Sequence, residues 1–148
     1  MAQRLRRILA LSWQDRWLLT RAALLLAGIR LGLILVPFHR LARVLERLGR
    51  ARRSPSDGDR EDVDRIVCAV ALTSGYVPGV KCLERALAAK VLLSSRGHPV
   101  DLRIGVDRGQ GQQLEAHAWL EDDGTIVIGD VEDLDRYTRL PVLELGSR

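Results

Sequence analysis

Cysteines and aromatic residues are scarce in this chain of 148 residues: aromatic side chains make up 4% of it, and its only cysteines are Cys68 and Cys82. The aromatic residues lie at no spacing that would stack nucleic-acid bases, and there is no zinc-finger spacing, so a nucleic-acid partner is disfavoured. The N-terminus places arginines among its leucines and has no small-residue cleavage site, unlike a secretory signal. We therefore expect a cytoplasmic protein of bacterial type with reduced thiols.

Acidic residues are almost absent from the N-terminal third. Residues 1–53 contain twelve arginines against Asp15 and Glu46, a net charge of +10, whereas residues 54–148 have a net charge of −6. The length suits one compact domain with an appendage and is too short for two ordinary domains. We predict a basic, Leu/Arg-rich helical region over 1–53 and one α+β domain over 54–148. Their opposite charges predict that the helical region packs partly over the domain.

The N-terminal region also lacks a long uncharged hydrophobic run. Its longest low-charge window, residues 22–38, is at the short limit for a membrane span and contains Arg30. A charge at the membrane centre costs about 2.5–3.5 kcal/mol on insertion scales, so a spanning helix is disfavoured. Trp13, Trp17 and the arginines are typical of helices that lie along a membrane surface. We expect helices that offer an apolar face to a partner protein or to the inner face of the membrane.

The spacing of apolar residues predicts the helices. Pro37 divides the N-terminal region into two helices, the second running to about Arg50. The stretch "RARRSPSDGDRED" that follows is typical of a linker, with a boundary near residue 55. A helix of about 13 residues comes next, with Asp57 or Asp59 as its cap and Gly75 as its stop. A further helix covers roughly 81–96.

The period changes after this last helix. Gly97 ends it, and "VDLRIGV" from Val100 alternates apolar and polar residues as a strand does. The stretch "EAHAWLEDDGTIVIGD", residues 115–130, then predicts a β-hairpin. Its Asp-Gly pair is the strongest short signal for a two-residue turn.

Counting outward from the turn at Asp123-Gly124 places His117 directly opposite Asp130. Opposite residues on one face have Cβ atoms about 4.5–5.5 Å apart, within reach of an imidazole–carboxylate hydrogen bond. The pair is either a satisfied polar contact or two members of a catalytic triad. A register slip of one residue would put the two side chains on opposite faces.

Cys82 is the candidate for the third member. It lies in the first turn of its helix, where the helix N-terminus and the neighbouring Lys81 favour the thiolate. Cys on a helix N-terminus, then His117 on a strand, then Asp130 on the next strand is the order of papain-like and transglutaminase-like enzymes. In those enzymes Cys attacks a carbonyl, His moves the proton and Asp orients the ring.

The remaining candidates have structural interpretations. Cys68 is in the middle of a helix and is predicted to be a small buried hydrophobe. His39 and His98 lie beside helix breaks and are predicted to be structural or solvated. A zinc site at the three triad positions is disfavoured, because an Asp that orients the His leaves only two ligands where catalytic zinc needs three. We therefore expect no metal and no cofactor.

The stretch "CLERALAAKVLLSSRGHPVDLRIGV", together with the hairpin, resembles the transglutaminase-like core of the lasso peptide biosynthesis B proteins, in the form whose leader peptidase is a separate chain. The resemblance rests on a Cys-Leu-x-Arg-Ala-Leu helix, a Leu-Leu-x-x-x-Gly helix end, an Ile-Gly-Val strand, an Ala-His-Ala-Trp strand and a terminal Asp. These match residues 82–87, 92–97, 104–106, 116–119 and Asp130. The Leu/Arg-rich lead-in that ends in Pro-Phe is also similar, so the resemblance covers about the whole chain.

This resemblance implies a papain-like α+β fold, with the Cys helix on a small antiparallel sheet, and a cysteine peptidase that cuts the leader from a ribosomally made precursor. It implies Cys82 as nucleophile, His117 as general base and then acid, and Asp130 as orienter. The core peptide's freed amine would go to a separate ATP-dependent cyclase. A small, separately encoded partner protein would recognise the leader.

Two points about the site stay open. Gly129 stands where the pattern has Asn, so Asp130 and Asp133 compete as the acid that faces His117. The Cys82 backbone N–H is one candidate oxyanion donor, and a second is not assigned. The alternative functions are a transglutaminase-type acyltransferase with the same site and a non-catalytic scaffold of the same fold.

Overall fold

The computed structural model describes residues 12–50, 60–108 and 113–141, in which the chain forms four α-helices, four β-strands and a short 3₁₀ helix, Leu134–Arg136. The helices are α1 (Trp13–Leu35), α2 (Phe38–Arg50), α3 (Arg60–Ser74) and α4 (Cys82–Ser95). The strands are β1 (Asp101–Arg108), β2 (Leu114–Asp122), β3 (Thr125–Ile128) and β4 (Thr138–Arg139). Most of the predicted linker and both predicted helix caps, Asp57 and Asp59, lie outside the described residues.

The N-terminal helices confirm the division predicted at Pro37. α1 begins after Ser12, whose hydroxyl accepts a hydrogen bond from the Asp15 backbone N–H at 3.2 Å, and it ends before an extended Val36. α2 starts directly after the proline. By length and composition alone α1 could cross a membrane, since the mean hydropathy of its most apolar 18 residues is 1.9. One face of α1, however, is packed inside the protein.

The hydrophobic core lies between the helices and one face of the sheet. α1 packs on α3 and α4, α2 packs on α4, and α4 lies against the sheet. Members of the core include Leu18, Ala22, Leu26, Ile29, Ile66, Val70, Leu87, Leu92, Val100, Leu102, Ala118 and Leu120. Full burial of each large apolar side chain contributes about 1.5–3 kcal/mol. The α+β arrangement predicted from the sequence is confirmed, with N-terminal helices followed by the Cys82 helix on a small antiparallel sheet.

The sheet is antiparallel in the order β3-β2-β1-β4. The predicted turn is confirmed, because Asp122 pairs with Thr125 and both Asp123 and Gly124 have positive φ, 46° and 82°. A type I′ turn requires positive φ at both central residues, which Asp and Gly tolerate better than most residues. The hairpin therefore closes where the sequence placed it.

After β3 the chain crosses one face of the sheet. Because β3 and β4 are its two edges, residues 129–137 must pass over β2 and β1, and they do so on the face that α4 does not cover. Tyr137 lies over Gly105, where an added Cβ would come within 2.7 Å of the tyrosine Cβ. Trp119 on this face is fully buried. We call this side of the sheet, with Gly105, His117, Trp119 and Tyr137, the outer face.

One burial prediction is wrong: Cys68 is exposed. α3 has its large apolar residues at helical spacing, and Val63, Ile66 and Val70 are buried. Cys68 is two positions beyond Ile66, which at 100° per residue turns its side chain about 200° away from the buried face. A position in the middle of a helix does not by itself bury a cysteine, because the side chain must also point toward the core.

Candidate active site

Cys82 is the first residue of α4 and is half-buried. The preceding Lys81 has an extended backbone and makes no side-chain capping hydrogen bond, as expected for an ammonium group that cannot accept one. The first N–H groups of the helix are therefore not satisfied by the usual N-cap side chain, and the cysteine lies among them. The predicted position of the cysteine at a helix N-terminus is confirmed.

An ion pair fixes the chain around Cys82. Glu84, buried in the first turn of α4, accepts a hydrogen bond from the Lys81 backbone N–H at 3.1 Å. Its other carboxylate oxygen lies 3.4 Å from Nη1 of Arg30, on α1. The same Nη1 donates to the Gly79 carbonyl at 2.5 Å. Arg30 therefore ties α1 to the loop that leads into the cysteine.

Gly79 is the tightest point of this loop. Its φ is +74°, and an added Cβ would overlap the Arg30 guanidinium. The positive φ favours glycine at this position, and a larger residue would also displace the guanidinium from its contact with the Gly79 carbonyl. Sequence reasoning missed this contact, although Arg30 lies inside the low-charge window of residues 22–38, which was a signal that it needs an acidic partner.

His117 lies on β2, opposite Gly105 of β1. Its ring stacks with Trp119, with centroids 6.1 Å apart and planes at 18°, and lies 5.5 Å from the Tyr137 ring. Nε2 is 2.6 Å from the carbonyl oxygen of Gly129. A carbonyl can only accept, so Nε2 carries the hydrogen and Nδ1 of the neutral ring keeps its lone pair. The ring is thus held in the tautomer whose Nδ1 can accept a hydrogen bond.

The predicted direct pairing of His117 with Asp130 is wrong. Beyond the first two pairs of the hairpin a β-bulge puts an extra residue into β3, so that Leu120 pairs with Ile128, where β3 ends. Gly129 then turns the chain with a φ of +89° and presents its carbonyl to the imidazole. Counting from the turn assumed an uninterrupted ladder, and a single bulge shifts every later residue by one position.

Asp130 and Asp133 are both exposed. Asp133 lies 3.8 Å from Nε of Arg136. Within the described ranges neither carboxylate makes a hydrogen bond to His117, whose ring is held by the backbone instead. Asp130 follows directly after the residue that holds the ring, so it can act on an imidazolium through its charge.

Cys82 and His117 lie toward the same end of the α4–sheet layer. The chain turns back after α4, and Lys90 Nζ donates to the Val100 carbonyl at 2.8 Å, so β1 starts beside the C-terminal half of α4. Four residues along β1, about 13 Å at ~3.3 Å per residue, Gly105 and its partner His117 lie nearer the other end. The imidazole projects from the outer face, away from α4. No hydrogen bond of the described residues joins it to the thiol.

Glu121 anchors the tryptophan beneath His117. Its buried carboxylate accepts hydrogen bonds from Trp119 Nε1 at 2.9 Å and Arg103 Nε at 3.0 Å, and it lies 3.1 Å from Arg139 Nη1. Burial alone would raise the pKa of Glu121, but the indole hydrogen bond and the two guanidinium groups outweigh it and hold the pKa below its usual range. Sequence reasoning missed this acid, although strand alternation puts it on the His117 face.

The other histidines have no place in this site. His39 is exposed, whereas His98 is buried with Nε2 3.6 Å from Asp62 Oδ2, which agrees with a structural role. Among the residues that the structure describes, no three Cys, His, Asp or Glu side chains are grouped to hold a metal ion.

The chain forms an α+β domain in which a helix that begins at a cysteine packs on a small antiparallel sheet that carries a histidine. The model of the transglutaminase-like superfamily matches residues 23–142, so the chain belongs to this superfamily. The matched range includes Cys82, His117 and Asp130, and it reaches back across the predicted boundary at residue 53 to include α2 and most of α1. No curated protein and no solved structure matches the chain significantly.

Proposed function

We propose that this protein is a cysteine peptidase that removes the leader peptide from a ribosomally made lasso peptide precursor. The observation that carries the proposal is Cys82 on the uncapped first turn of α4 in a transglutaminase-like chain. The tautomer of His117, which leaves Nδ1 as base, adds to it. The substrate class rests on the resemblance of the sequence around both residues to the lasso peptide biosynthesis B proteins.

The reaction passes through a thioester. The Cys82 thiolate attacks the carbonyl carbon of the scissile peptide bond, and the Cys82 backbone N–H stabilises the oxyanion. His117, holding the proton from the thiol, gives it to the departing amine of the core peptide. Water then attacks the thioester while Nδ1 accepts its proton, which releases the leader as a carboxylic acid and restores the thiol and imidazole.

The roles around His117 are divided between backbone and charge. The Gly129 carbonyl orients the ring, and Asp130 stabilises the imidazolium from the following position. Because the ring projects from the outer face, away from α4, the proposed reaction requires a rearrangement that brings Nδ1 to the thiol when the precursor binds. Catalytic hydrogen bonds are often long without substrate and tighten when it binds.

The partners of this reaction follow from the substrate. A small, separately encoded protein recognises the leader and delivers the precursor, and an ATP-dependent cyclase consumes the freed amine. All of these steps take place in the cytoplasm, where the thiol stays reduced.

The test is a reconstitution with the precursor and leader-binding protein encoded beside the gene, in ¹⁸O-labelled water and with an added primary amine. Mass spectrometry should find free core peptide and a leader whose new carboxylate contains one ¹⁸O. A leader–amine adduct in excess over the acid would instead support the acyltransferase. Intact precursor under all conditions would contradict both functions and leave the scaffold.

A further inference from the structure

The exposed side of α1 is a continuous apolar stripe. Its large side chains are between 57% and 77% exposed: Trp13, Trp17, Leu24, Leu31, Ile34 and Leu35. At 100° per residue these positions share one side of the helix, opposite the buried Leu18, Ala22, Leu26 and Ile29. From one end to the other the stripe is about 33 Å long at 1.5 Å per residue. We call it the α1 stripe.

The composition of the α1 stripe is unusual for a protein surface. Every exposed residue between positions 22 and 37 is apolar, glycine or proline. Gly28 lies within it, and an added Cβ there would meet no atom within 4 Å, so the backbone itself is open. Apolar patches larger than a few hundred Å² are rare on soluble monomers and mark sites of interaction.

Arginines flank the α1 stripe. Arg16 and Arg21 lie near its tryptophan end, and Arg40, Arg43 and Arg47 follow on α2, which starts three residues after the stripe ends. We call these five residues the arginine set. In the described part of the chain none of them forms an ion pair.

The two acidic residues of α1 and α2 are already engaged. Asp15 lies 2.5 Å from Arg65, and Glu46 lies 3.4 Å from Arg50. The predicted attraction between the basic helices and the acidic domain is limited, among the described residues, to one arginine of α1 and α2, Arg30. The positive charge is therefore directed outward.

We infer that the α1 stripe and the arginine set bind an anionic lipid surface, with α1 lying along the membrane. Tryptophans, a long apolar side and nearby arginines are the chemistry of an interfacial helix, and an uncharged stripe gives a protein partner few groups for specific hydrogen bonds. A spanning orientation is excluded by the other side of α1, which is packed in the core and joined to Glu84 through Arg30. The inference does not depend on the proposed function.

Vesicle binding tests this inference. Full-length protein is mixed with one of two kinds of vesicle and then sedimented. One kind is pure phosphatidylcholine, and the other also contains about 30–50% of the anionic lipid phosphatidylglycerol. We expect binding to the anionic vesicles, a fall in binding with added salt, and a blue shift of tryptophan fluorescence. The shift reports on the stripe, because the third tryptophan, Trp119, is already fully buried.

Two sets of variants separate the apolar and charged contributions. Combined Trp17→Ser, Leu24→Ser and Leu31→Ser should abolish binding. Combined Arg40→Gln, Arg43→Gln and Arg47→Gln should weaken it, by about fivefold for each charge near the surface. Leu114→Ser is the matched control, because this leucine is 67% exposed on β2, outside the stripe, and its loss should change nothing.

Other outcomes overturn the inference. If the protein ignores both kinds of vesicle, or if the serine variant binds as well as the wild type, the stripe does not contact lipid. If light scattering shows a dimer that the serine variant breaks while vesicles are not bound, the stripe is an interface between two copies. If only the leader-binding protein protects the tryptophans, the partner is a protein.

Discussion

At the scale of single residues, the proposed nucleophile, Cys82, differs from the other cysteine in its surroundings rather than in a greater exposure. Cys68 is the more exposed of the two, but it lies in the middle of α3, where no helix N-terminus acts on it. Cys82 is less accessible and lies on the first turn of α4. Reactivity is therefore expected to follow local charge rather than exposure.

Replacement of Cys82 by alanine should abolish leader removal, a loss of at least ~10³ in rate, because no other group can form the thioester. The fold should remain, since the side chain is small and only half-buried. Cys68→Ala is the matched control and should retain activity. Precursor cleavage is followed by mass spectrometry and folding by circular dichroism. Cleavage that survives the first change and fails with the second would transfer the role to Cys68.

Asp130 should matter less for activity than the Gly129 carbonyl that holds the His117 ring. Asp130→Asn removes a solvent-exposed charge, whose effect water screens, so we expect about a tenfold loss of kcat. Asp133→Asn should have almost no effect. Gly129→Ala should cost more, about 10²-fold, because its φ is +89° and the new Cβ would lie 2.8 Å from the Ala118 carbonyl oxygen.

Kinetics with the intact precursor measure these three variants. A loss near 10⁴ for Asp130→Asn would show that its carboxylate meets the ring directly when substrate is bound, as the acid of a serine-protease triad does. Equal losses for both aspartates would contradict the assignment of either.

At the scale of elements, the ion pair between Arg30 and Glu84 connects α1 to α4. Arg30→Met should leave Glu84 buried without its partner and destabilise the protein by about 1–3 kcal/mol, a value below that of a fully buried pair because the arginine side chain is 37% exposed. Urea unfolding measures this loss. Arg30→Lys should recover part of it. Arg21→Met is the control, because Arg21 lies on the same helix and forms no ion pair with any described residue.

Glu121, in the sheet, should make the stability of the protein sensitive to acid. The pKa of Glu121 is lowered in the folded state, so its ionised form adds stability that is complete at neutral pH and is lost as the pH falls through and below the usual range of a glutamate, about 4. Glu121→Gln should reduce stability at pH 7 and flatten this part of the pH profile. Denaturant unfolding at several pH values measures both, and identical profiles would contradict the assignment.

The elements also show which features a sequence can predict. Pro37 ends a helix because it cannot continue one, and Asp123-Gly124 forms a hairpin turn because both residues tolerate positive φ, so these local signals gave correct boundaries. The bulge in β3 has no comparable local signal, since it depends on how the strand packs on the core. For this reason the turn was predicted and the partner of His117 was not.

Burial and long-range ion pairs were harder to predict for the same physical reason. The spacing of α3 defines an apolar stripe, but only packing decides whether Cys68 is turned inward. The link between Arg30 and Glu84 joins residues 54 positions apart, and no local pattern encodes that distance. Local chemistry predicted the candidates for the site, and tertiary packing determined their contacts.

At the scale of the whole molecule, the N-terminal helices and the sheet share one core. α1 contributes Leu18, Ala22, Leu26 and Ile29 to the cluster that also contains residues of α3, α4 and the sheet. Expression of residues 54–148 alone should therefore give an unfolded or aggregated chain, whereas the full chain folds. Circular dichroism and size-exclusion chromatography decide this, and a folded monomer of the fragment would establish the predicted boundary at residue 53 as a true domain limit.

The carbonyl of Gly129 that holds His117 has a consequence for how such a site tolerates mutation. A side-chain orienter can be deleted by one nucleotide change, but a main-chain oxygen is present whatever residue occupies the position. Only a change in the path of the backbone can remove it. Drift at residue 130 would then leave the histidine aligned, and the vulnerable codon would be that of the glycine, whose φ of +89° few other residues can adopt.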